Sequence, residues 1–220
     1  AQEWNDSTGA PGLVPERAYQ VSAGVEVKIT DDLSLDLQGF YKWMDDLVVG
    51  GDPTKTPVYT NDGVGRVYGG ELLLKHEMSR YFFGWMSYSL TRAERRDAPG
   101  EAWKPFDFDQ THIFNLVGVV RLWYGIEVGL RFRLATGNPY TPVTGSWYSD
   151  DRDSYVPLYG STNSGRLPLY HQLDLRVDKK FVFDDWMLNL YVEIQNVYLQ
   201  ENQEGFSYNY DYSQKQKISG

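Results

Sequence analysis

The residue types that most often carry out chemistry are few and scattered in this chain. Its three histidines, His76, His112 and His171, stand far apart, and the 220 residues include no cysteine. None of the histidines lies at metal-ligand spacing from a second ligand. The sequence also contains no GxSxG, GxGxxG or Walker-type loop. We therefore predict that the chain is not an enzyme and holds no cofactor.

One acidic group, Asp150, Asp151 and Asp153, could bind a metal ion. Carboxylate oxygens are ligands that Ca²⁺ prefers, but the group lacks the spacing and the glycine of an EF-hand loop. We expect a solvated acidic loop without a bound metal. The net charge is −9 and no basic stripe is present, which excludes nucleic acid as a partner.

Aromatic residues make up 15% of the chain, and several stand in polar stretches that have the composition of loops. Exposed rings of this kind offer contact surface to a ligand. The candidate ligand-binding residues are Trp103, Tyr140, Trp147 and Tyr155. Packing of the loops themselves would explain the same four residues equally well.

The clearest predicted element is a β-strand over residues 33–47. Apolar residues at odd-numbered positions alternate there with mostly polar residues at even-numbered positions. Side chains alternate between the two faces of a strand, so this strand has one apolar and one polar face. The same alternation predicts seven further strands, over about 19–29, 67–77, 81–92, 109–122, 126–136, 167–179 and 186–198.

Short and long connections alternate between these strands. The tight turns are at 30–32, 78–80, 123–125 and 183–185. The long connections, which we predict to be extracellular loops, are near 48–66, 93–108, 137–165 and 199–212. Short turns on the periplasmic side and long loops on the outer side are typical of outer-membrane β-barrels. A short segment around FSYNYDYS predicts the tip of a further hairpin.

Charged residues within the strands require water on one side of the sheet, because unpaired burial of charge is costly. We predict that these side chains face the lumen of a barrel: Glu26, Asp36, Lys42, Glu71, Arg131, Arg133, Asp174 and Arg176. The apolar faces need lipid or a second layer, and no amphipathic helix is visible to supply that layer. The predicted fold class is therefore all-β, an antiparallel transmembrane β-barrel in the bacterial outer membrane. It would contact outer-membrane lipid and lipopolysaccharide.

Six short motifs, in the same order along the chain, resemble those of TonB-dependent outer-membrane receptors. They begin at Asn61, Tyr88, Pro105, Thr136, Arg166 and Gln195, and they read NDG followed by VYGGEL, YSLTR, PFDFDQTH, TGNPYTP, RLPLYHQLDLR and QNVY. The resemblance extends over residues 15–212. It implies that residues 1–220 are a C-terminal segment of about eight to nine strands from a plugged barrel of about 22 strands.

The resemblance implies TonB-dependent uptake of a scarce ligand, of the siderophore, cobalamin, oligosaccharide or peptide class. The partners would then be a plug domain and further barrel strands that this chain lacks, with TonB acting through the plug. Eight strands can also close alone, which leaves a self-contained small barrel with a structural or adhesive role as an alternative. A second alternative is a soluble all-β carbohydrate-binding domain or enzyme, with Asp107 and Asp109 as candidate acids.

Overall fold

The computed structural model describes residues 12–50 and 59–219. These residues form fifteen strands and one turn of 3₁₀ helix at Trp123–Gly125. The strands in chain order are β1 (Arg17–Lys28), β2 (Leu33–Gly50), β3 (Tyr59–His76), β4 (Phe82–Arg96), β5 (Lys104–Pro105), β6 (His112–Arg121), β7 (Ile126–Ala135), β8 (Pro139–Tyr140), β9 (Val143–Ser149), β10 (Ser154–Tyr159), β11 (Gly165–Arg166), β12 (Tyr170–Val182), β13 (Met187–Ile194), β14 (Gln203–Tyr208) and β15 (Lys215–Ser219).

Eight long strands form one antiparallel sheet in the order β1-β2-β3-β4-β6-β7-β12-β13, and β5 pairs with β4. This meander confirms the predicted all-β, antiparallel fold class. Every residue of the two outer strands, β1 and β13, is exposed. In the part of the chain that the structure describes, these two strands do not pair with each other, so they remain open edges. Across the same residues, no helix has the length and apolar character needed to span a membrane.

Three small two-stranded sheets lie at the end of the main sheet where the long connections emerge. Strand β9 pairs with β10, and β8 pairs with β11, all between β7 and β12. Strands β14 and β15 form the predicted hairpin around FSYNYDYS. At the opposite end, the four predicted tight turns join β1 to β2, β3 to β4, β6 to β7 and β12 to β13.

The long connections contain more strand than the sequence predicts. Residues 48–50 and 59–66 belong to β2 and β3, while 51–58 lie outside the described residues. The two strands approach closely at Gly63, where an added Cβ would lie 2.7 Å from the carbonyl oxygen of Leu47. Likewise β4 continues to Arg96 and pairs with β5. Polar sequence can stay paired here because these strand ends need no apolar face.

The register separates apolar from polar side chains row by row. Leu37 lies opposite Leu72, and Leu72 lies opposite Tyr88, whereas the next row contains Gln38 and Glu71. Among the described residues the buried hydrophobic side chains are only Val49, Ala135 and Leu167. The sheet therefore has no covering layer, and its apolar face needs a non-aqueous partner.

Candidate functional site

The polar face of the sheet carries all eight charged residues predicted to share one side. Glu26 lies opposite Asp36, and Gln38 lies opposite Glu71. Arg131 lies opposite Asp174, with Arg133 and Arg176 on the neighbouring rows of the same face. The alternation within each strand therefore continues across strand boundaries and places these residues on one face. They form two charged regions, one on β1–β3 and one on β7 and β12, with mostly uncharged side chains of β4 and β6 between them.

Part of this surface is a recess of about 310 Å³, lined by Asn115, Arg131, Arg133, Tyr170, Gln172 and Asp174. Asp174 is 5% exposed and is fully engaged. Its Oδ2 accepts hydrogen bonds from Arg131 Nη2 at 2.6 Å and Nε at 2.9 Å, and its Oδ1 accepts from Gln172 Nε2 at 2.7 Å. The Oδ1 atom also accepts from the backbone N–H of Asn196 at 2.9 Å.

Arg133 is the cation of this recess whose charge is not neutralised. Its guanidinium carbon lies 5.5 Å from the ring centroid of Tyr170. The ion pairs within residues 12–50 and 59–219 include Arg131 with Asp174 but none at Arg133. The recess thus presents one free positive charge beside a neutral aromatic ring, an arrangement that suits an anionic group.

Ion pairs within and between strands neutralise most charges below the recess. Glu127 lies between Arg121 Nε at 2.9 Å and Lys180 Nζ at 2.8 Å. Arg176 Nε lies 2.8 Å from Asp178 Oδ2, and Arg176 Nη1 lies 3.4 Å from an oxygen of Glu193. By contrast, Glu26, Asp36 and Glu71 on β1–β3 take part in no ion pair between described residues. The carboxylates of the polar face are therefore paired toward β13, whereas these three carboxylates toward β1 are not. The ion pairs on that side, Lys28 with Asp31 and Lys75 with Glu77, lie next to the tight turns.

A buried ion pair fixes the connections above the sheet. The side chain of Asp109 is fully buried, and its Oδ2 lies 2.6 Å from Arg166 Nη2. Arg166 Nη1 also donates to the carbonyl oxygens of Asp109 at 2.7 Å and Gly137 at 3.0 Å. The second carboxylate oxygen of Asp109 accepts from the backbone N–H of Ala93 at 2.7 Å. We call Asp109 and Arg166 with these contacts the loop latch.

The loop latch joins two motifs that the sequence analysis treated separately, PFDFDQTH and RLPLYHQLDLR. Sequence reasoning named Asp109 only as a candidate acid of a soluble enzyme and did not pair it with Arg166. A further contact supports the same junction, since Asn163 Nδ2 donates to Asp107 Oδ1 at 2.6 Å and to the carbonyl oxygen of Pro105 at 2.9 Å. Both aspartates are therefore engaged in holding loops together.

Two tyrosine-rich hairpins, β9–β10 and β14–β15, pack against each other. The ring of Tyr155 lies 5.2 Å from that of Tyr148 and 5.9 Å from that of Tyr210, both edge-on. The ring of Tyr140 lies 5.0 Å from that of Phe206. Trp147, on the same β9–β10 hairpin, is 51% exposed. Three of the four predicted ligand-binding aromatics, Tyr140, Trp147 and Tyr155, thus lie on or at the base of these hairpins.

A tyrosine forms a hydrogen bond with the acidic loop between β9 and β10. The hydroxyl of Tyr148 donates a hydrogen bond to Asp153, and this bond raises the pKa of Tyr148 above its ordinary value. Across the described parts of the chain, no group of three or more potential ligands is placed to hold a metal ion. The hairpin offers aromatic surface and carboxylates together.

The fourth predicted aromatic, Trp103, lies apart from the hairpins. Its ring lies 5.9 Å from that of Trp43 in an edge-on contact, and the guanidinium carbon of Arg66 stands 4.2 Å from its centroid. Trp43 and Arg66 project from the apolar face of the sheet, on the same side as Leu37 and Leu72. The structure therefore places Trp103 on the outer side of the strand ends.

The histidines also project from the apolar face. His112 Nδ1 lies 2.7 Å from the hydroxyl of Tyr88, and His171 Nδ1 lies 2.8 Å from that of Tyr198. His76 meets the ring of Phe82 edge-on at 5.2 Å. Aromatic residues form girdles at both membrane interfaces of outer-membrane barrels, and each of these histidines contacts such a ring.

These features together define the wall of an outer-membrane β-barrel. One face is apolar through the middle of the strands, the opposite face carries the charged residues of the predicted lumen, and the long connections all emerge at one end. The chain belongs to the TonB dependent receptor-like, beta-barrel family, whose model matches residues 2–197. The barrels of this family lie in the bacterial outer membrane. Membership of this family excludes the alternative of a soluble all-β carbohydrate-binding domain or enzyme.

Solved receptor structures share this fold. The ferric-catecholate import receptor Fiu of E. coli K12 aligns with a TM-score of 0.61 at 16% identity, over 94% of this chain and 26% of that one. The ferric yersiniabactin uptake receptor FyuA of Yersinia pestis gives 0.60 at 17% identity, over 93% and 28%. The ferripyoverdine receptor of Pseudomonas aeruginosa gives 0.62 at 13% identity, over 94% and 26%.

The chain therefore spans about a quarter of the length of these receptors, judged from coverages of 26%, 28% and 26%. At such low identity the likeness shows the fold alone. A comparison with curated proteins finds no significant match.

Proposed function

We propose that this chain is part of the wall of a TonB-dependent channel that takes up a ferric siderophore. The observation that carries the proposal is the recess on the polar face, where Arg133 keeps its positive charge. Chelators that hold Fe³⁺ through anionic oxygen atoms commonly carry net negative charge, and an arginine fork suits such oxygens. Cobalamin, oligosaccharides and peptides are the alternative ligand classes. Their binding does not require a positive charge that is free of an ion-pair partner.

The polar face would line the lumen and the apolar face would contact lipid. Exposed backbone groups at an open sheet edge are not viable in a hydrocarbon layer. Strands from the rest of the receptor would therefore pair with β1 and β13. The unpaired carboxylates Glu26, Asp36 and Glu71 would face water or a plug domain with complementary charges. TonB would act on that plug rather than on this segment.

The two tyrosine-rich hairpins would make the first contact with the ligand. They stand at the extracellular end of the strands and expose the rings of Trp147 and Tyr155. Tyrosine and tryptophan supply large contact areas at low conformational cost, which suits a receptor surface. The similar solved structures support the ligand class, because they are receptors for ferric-catecholate, ferric yersiniabactin and ferripyoverdine.

The test is an uptake assay with the full-length receptor in cells that lack the gene. Labelled ferric siderophores, cobalamin and an oligosaccharide are supplied in parallel, with and without TonB. We expect TonB-dependent uptake of a ferric siderophore, reduced about tenfold or more at low ligand concentration by Arg133→Gln, because a hydrogen bond to a charged group contributes about 1.5–3 kcal/mol.

Arg121→Gln is the matched control, because Arg121 lies on the same face but is paired with Glu127 far from the recess. Uptake of cobalamin or the oligosaccharide without any ferric chelate would overturn the ligand class. Uptake that continues without TonB would overturn the proposed mechanism. Equal losses in the two variants would remove the recess from the binding site.

A further inference from the structure

The apolar face carries a groove, at the Gly39–Gly70 row of β2 and β3, that no transport role explains. It is lined by the apolar-face residues Leu37, Gly39, Gly70, Leu72, Tyr88 and Leu90 together with Gln38 and Glu71, and its volume is about 350 Å³. Gly39 lies directly opposite Gly70, so two missing side chains form the floor. An added Cβ at Gly39 would approach nothing closer than 3.9 Å, and one at Gly70 nothing closer than 3.6 Å. A larger side chain would therefore fit at either position without a clash. The two glycines leave open space on the surface of the sheet.

Cations and aromatic rings stand above this groove on the same face. The next row toward the outer end contains the stacked rings of Tyr41 and Tyr68, with centroids 6.3 Å apart, beside Arg92. The row after that contains Trp43, Arg66 and Glu94, and Arg96 follows. At 3.4 Å per residue, Arg92, Arg66 and Arg96 stand about 7, 14 and 20 Å above the glycine row.

Charge on this surface is only partly neutralised. Glu94, with a side chain that is 10% exposed, serves both Arg66 Nη2 at 2.6 Å and Arg92 Nε at 3.0 Å. Arg92 also lies 3.9 Å from Asp109, whose charge the loop latch already satisfies. Arg17 is paired with Asp46 at 2.6 Å.

Arg96 has no such partner. Its guanidinium carbon lies 5.0 Å from the ring centroid of Trp103, and its buried Nε has no hydrogen-bond partner within the described part of the chain. Among described residues, no carboxylate forms an ion pair with Arg96. This arginine is therefore a fixed positive charge, held by an aromatic ring, on the lipid-facing side of the barrel.

We propose that this surface is a binding site for one lipopolysaccharide molecule of the outer leaflet. One acyl chain occupies the Gly39–Gly70 groove, and phosphates on the sugar headgroup meet Arg92, Arg66 and Arg96. Arginine recognises phosphate through paired N–H donors. The cations extend over about 13 Å along the strands. A glycerophospholipid has one phosphate next to its acyl chains and would satisfy only the lowest cation.

The experiment uses the full-length receptor in detergent, titrated with lipopolysaccharide and followed by native mass spectrometry. Binding of intact lipopolysaccharide is compared with binding of the same lipid after removal of its phosphates and with binding of phosphatidylglycerol. Binding of intact lipopolysaccharide is also compared between receptor variants. Arg96→Gln removes the free charge, and Gly70→Leu fills the groove. Arg95→Gln is the matched control, since Arg95 is the adjacent residue of β4 and projects from the opposite face.

We expect Arg96→Gln, Gly70→Leu and phosphate removal each to weaken binding at least fivefold, with Arg95→Gln unchanged. Equal binding by Arg96→Gln and Arg95→Gln overturns the proposal. The proposal is also overturned if intact and dephosphorylated lipopolysaccharide bind equally well. It is overturned as well if phosphatidylglycerol binds as well as lipopolysaccharide. A heat-dependent gel shift checks that each variant is folded. If Arg96→Gln does not fold, the comparison of lipids on the unmodified receptor decides the outcome. This site does not depend on which ligand the channel transports.

Discussion

Replacing Arg166 with glutamine tests the loop latch directly. The substitution removes a charge-assisted hydrogen bond of 2.6 Å and leaves Asp109 as a carboxylate with a fully buried side chain. Breaking a buried ion pair by removing one partner costs about 3–5 kcal/mol. We expect the lower end, about 3 kcal/mol, because Asp109 keeps the backbone N–H of Ala93 and the side chain of Arg166 is 29% exposed.

Hydrogen exchange on the full-length receptor measures this cost locally. The amide of Leu167 donates to the carbonyl oxygen of Asn138 at 3.0 Å, inside the junction that the latch closes. A loss of about 3 kcal/mol corresponds to exchange roughly a hundredfold faster at this amide. Amides in the middle of β2 and β3 should not change.

A double-mutant cycle separates the pair from general loop damage. The variant Asp109→Asn removes the buried charge, so adding Arg166→Gln to it should cost far less than Arg166→Gln alone. Arg152→Gln, on the exposed tip between β9 and β10, is the control for loss of a loop arginine. The reasoning would be refuted if amide exchange at Leu167 rose less than threefold in Arg166→Gln. It would also be refuted if the free-energy losses of the two single variants simply added in the double variant.

Three further predictions follow from the faces, the loops and the charges. Leu72→Arg should destabilise the barrel by about 2–4 kcal/mol in a lipid-bilayer unfolding assay, whereas Leu73→Arg on the opposite face should change stability little. Equal losses of stability in the two variants would contradict our assignment of the faces. Gly137→Ala should loosen the latch region in exchange measurements, because its Cβ would lie 2.2 Å from a backbone oxygen, while Gly145→Ala has 3.8 Å of clearance and should not. The carboxylates beside Lys104 raise its pKa above the ordinary 10.5, Asp97 through the leading hydrogen bond and Glu101 through a second. Their contribution to loop stability is therefore complete below pH 10.5 and is lost as pH rises through the higher folded value. A ¹⁵N titration of the side-chain nitrogen that shows an ordinary or lowered pKa would contradict this.

The strands were predictable because the bilayer imposes a period of two. Where a strand touches lipid, every second residue must be apolar, and this pattern located all eight long strands. The pattern fails where strands continue beyond the lipid. Residues 59–66 have the composition of a loop, yet they extend β3, because pairing outside the bilayer needs no apolar side chain.

The contacts above the sheet were not predictable in the same way. Asp109 and Arg166 are separated by 57 positions, and no periodicity links them. The resemblance to a receptor family marked both motifs but did not indicate that they touch. Trp103 illustrates the same limit, because its position depends on the register of Trp43 and Arg66 rather than on its own loop sequence.

Two buried carboxylates, Asp109 and Asp174, fix the ends of strands in this sheet through the same pattern of hydrogen bonds. Asp109 is 1% exposed and Asp174 is 5% exposed. In each, one oxygen accepts from an arginine of a distant segment, Arg166 or Arg131. The other oxygen accepts from a backbone N–H, that of Ala93 near the end of β4 or that of Asn196 just after β13.

This arrangement fixes both the direction in which a connection departs and the strand beside it. The bases of the connections are therefore rigid, while the tyrosine-rich hairpins above them are held mainly by exposed aromatic contacts. Edge-on ring pairs contribute only about 0.5–1.5 kcal/mol each beyond their burial. Movement on ligand binding should therefore concentrate in the β9–β10 and β14–β15 hairpins and stop at the two carboxylates.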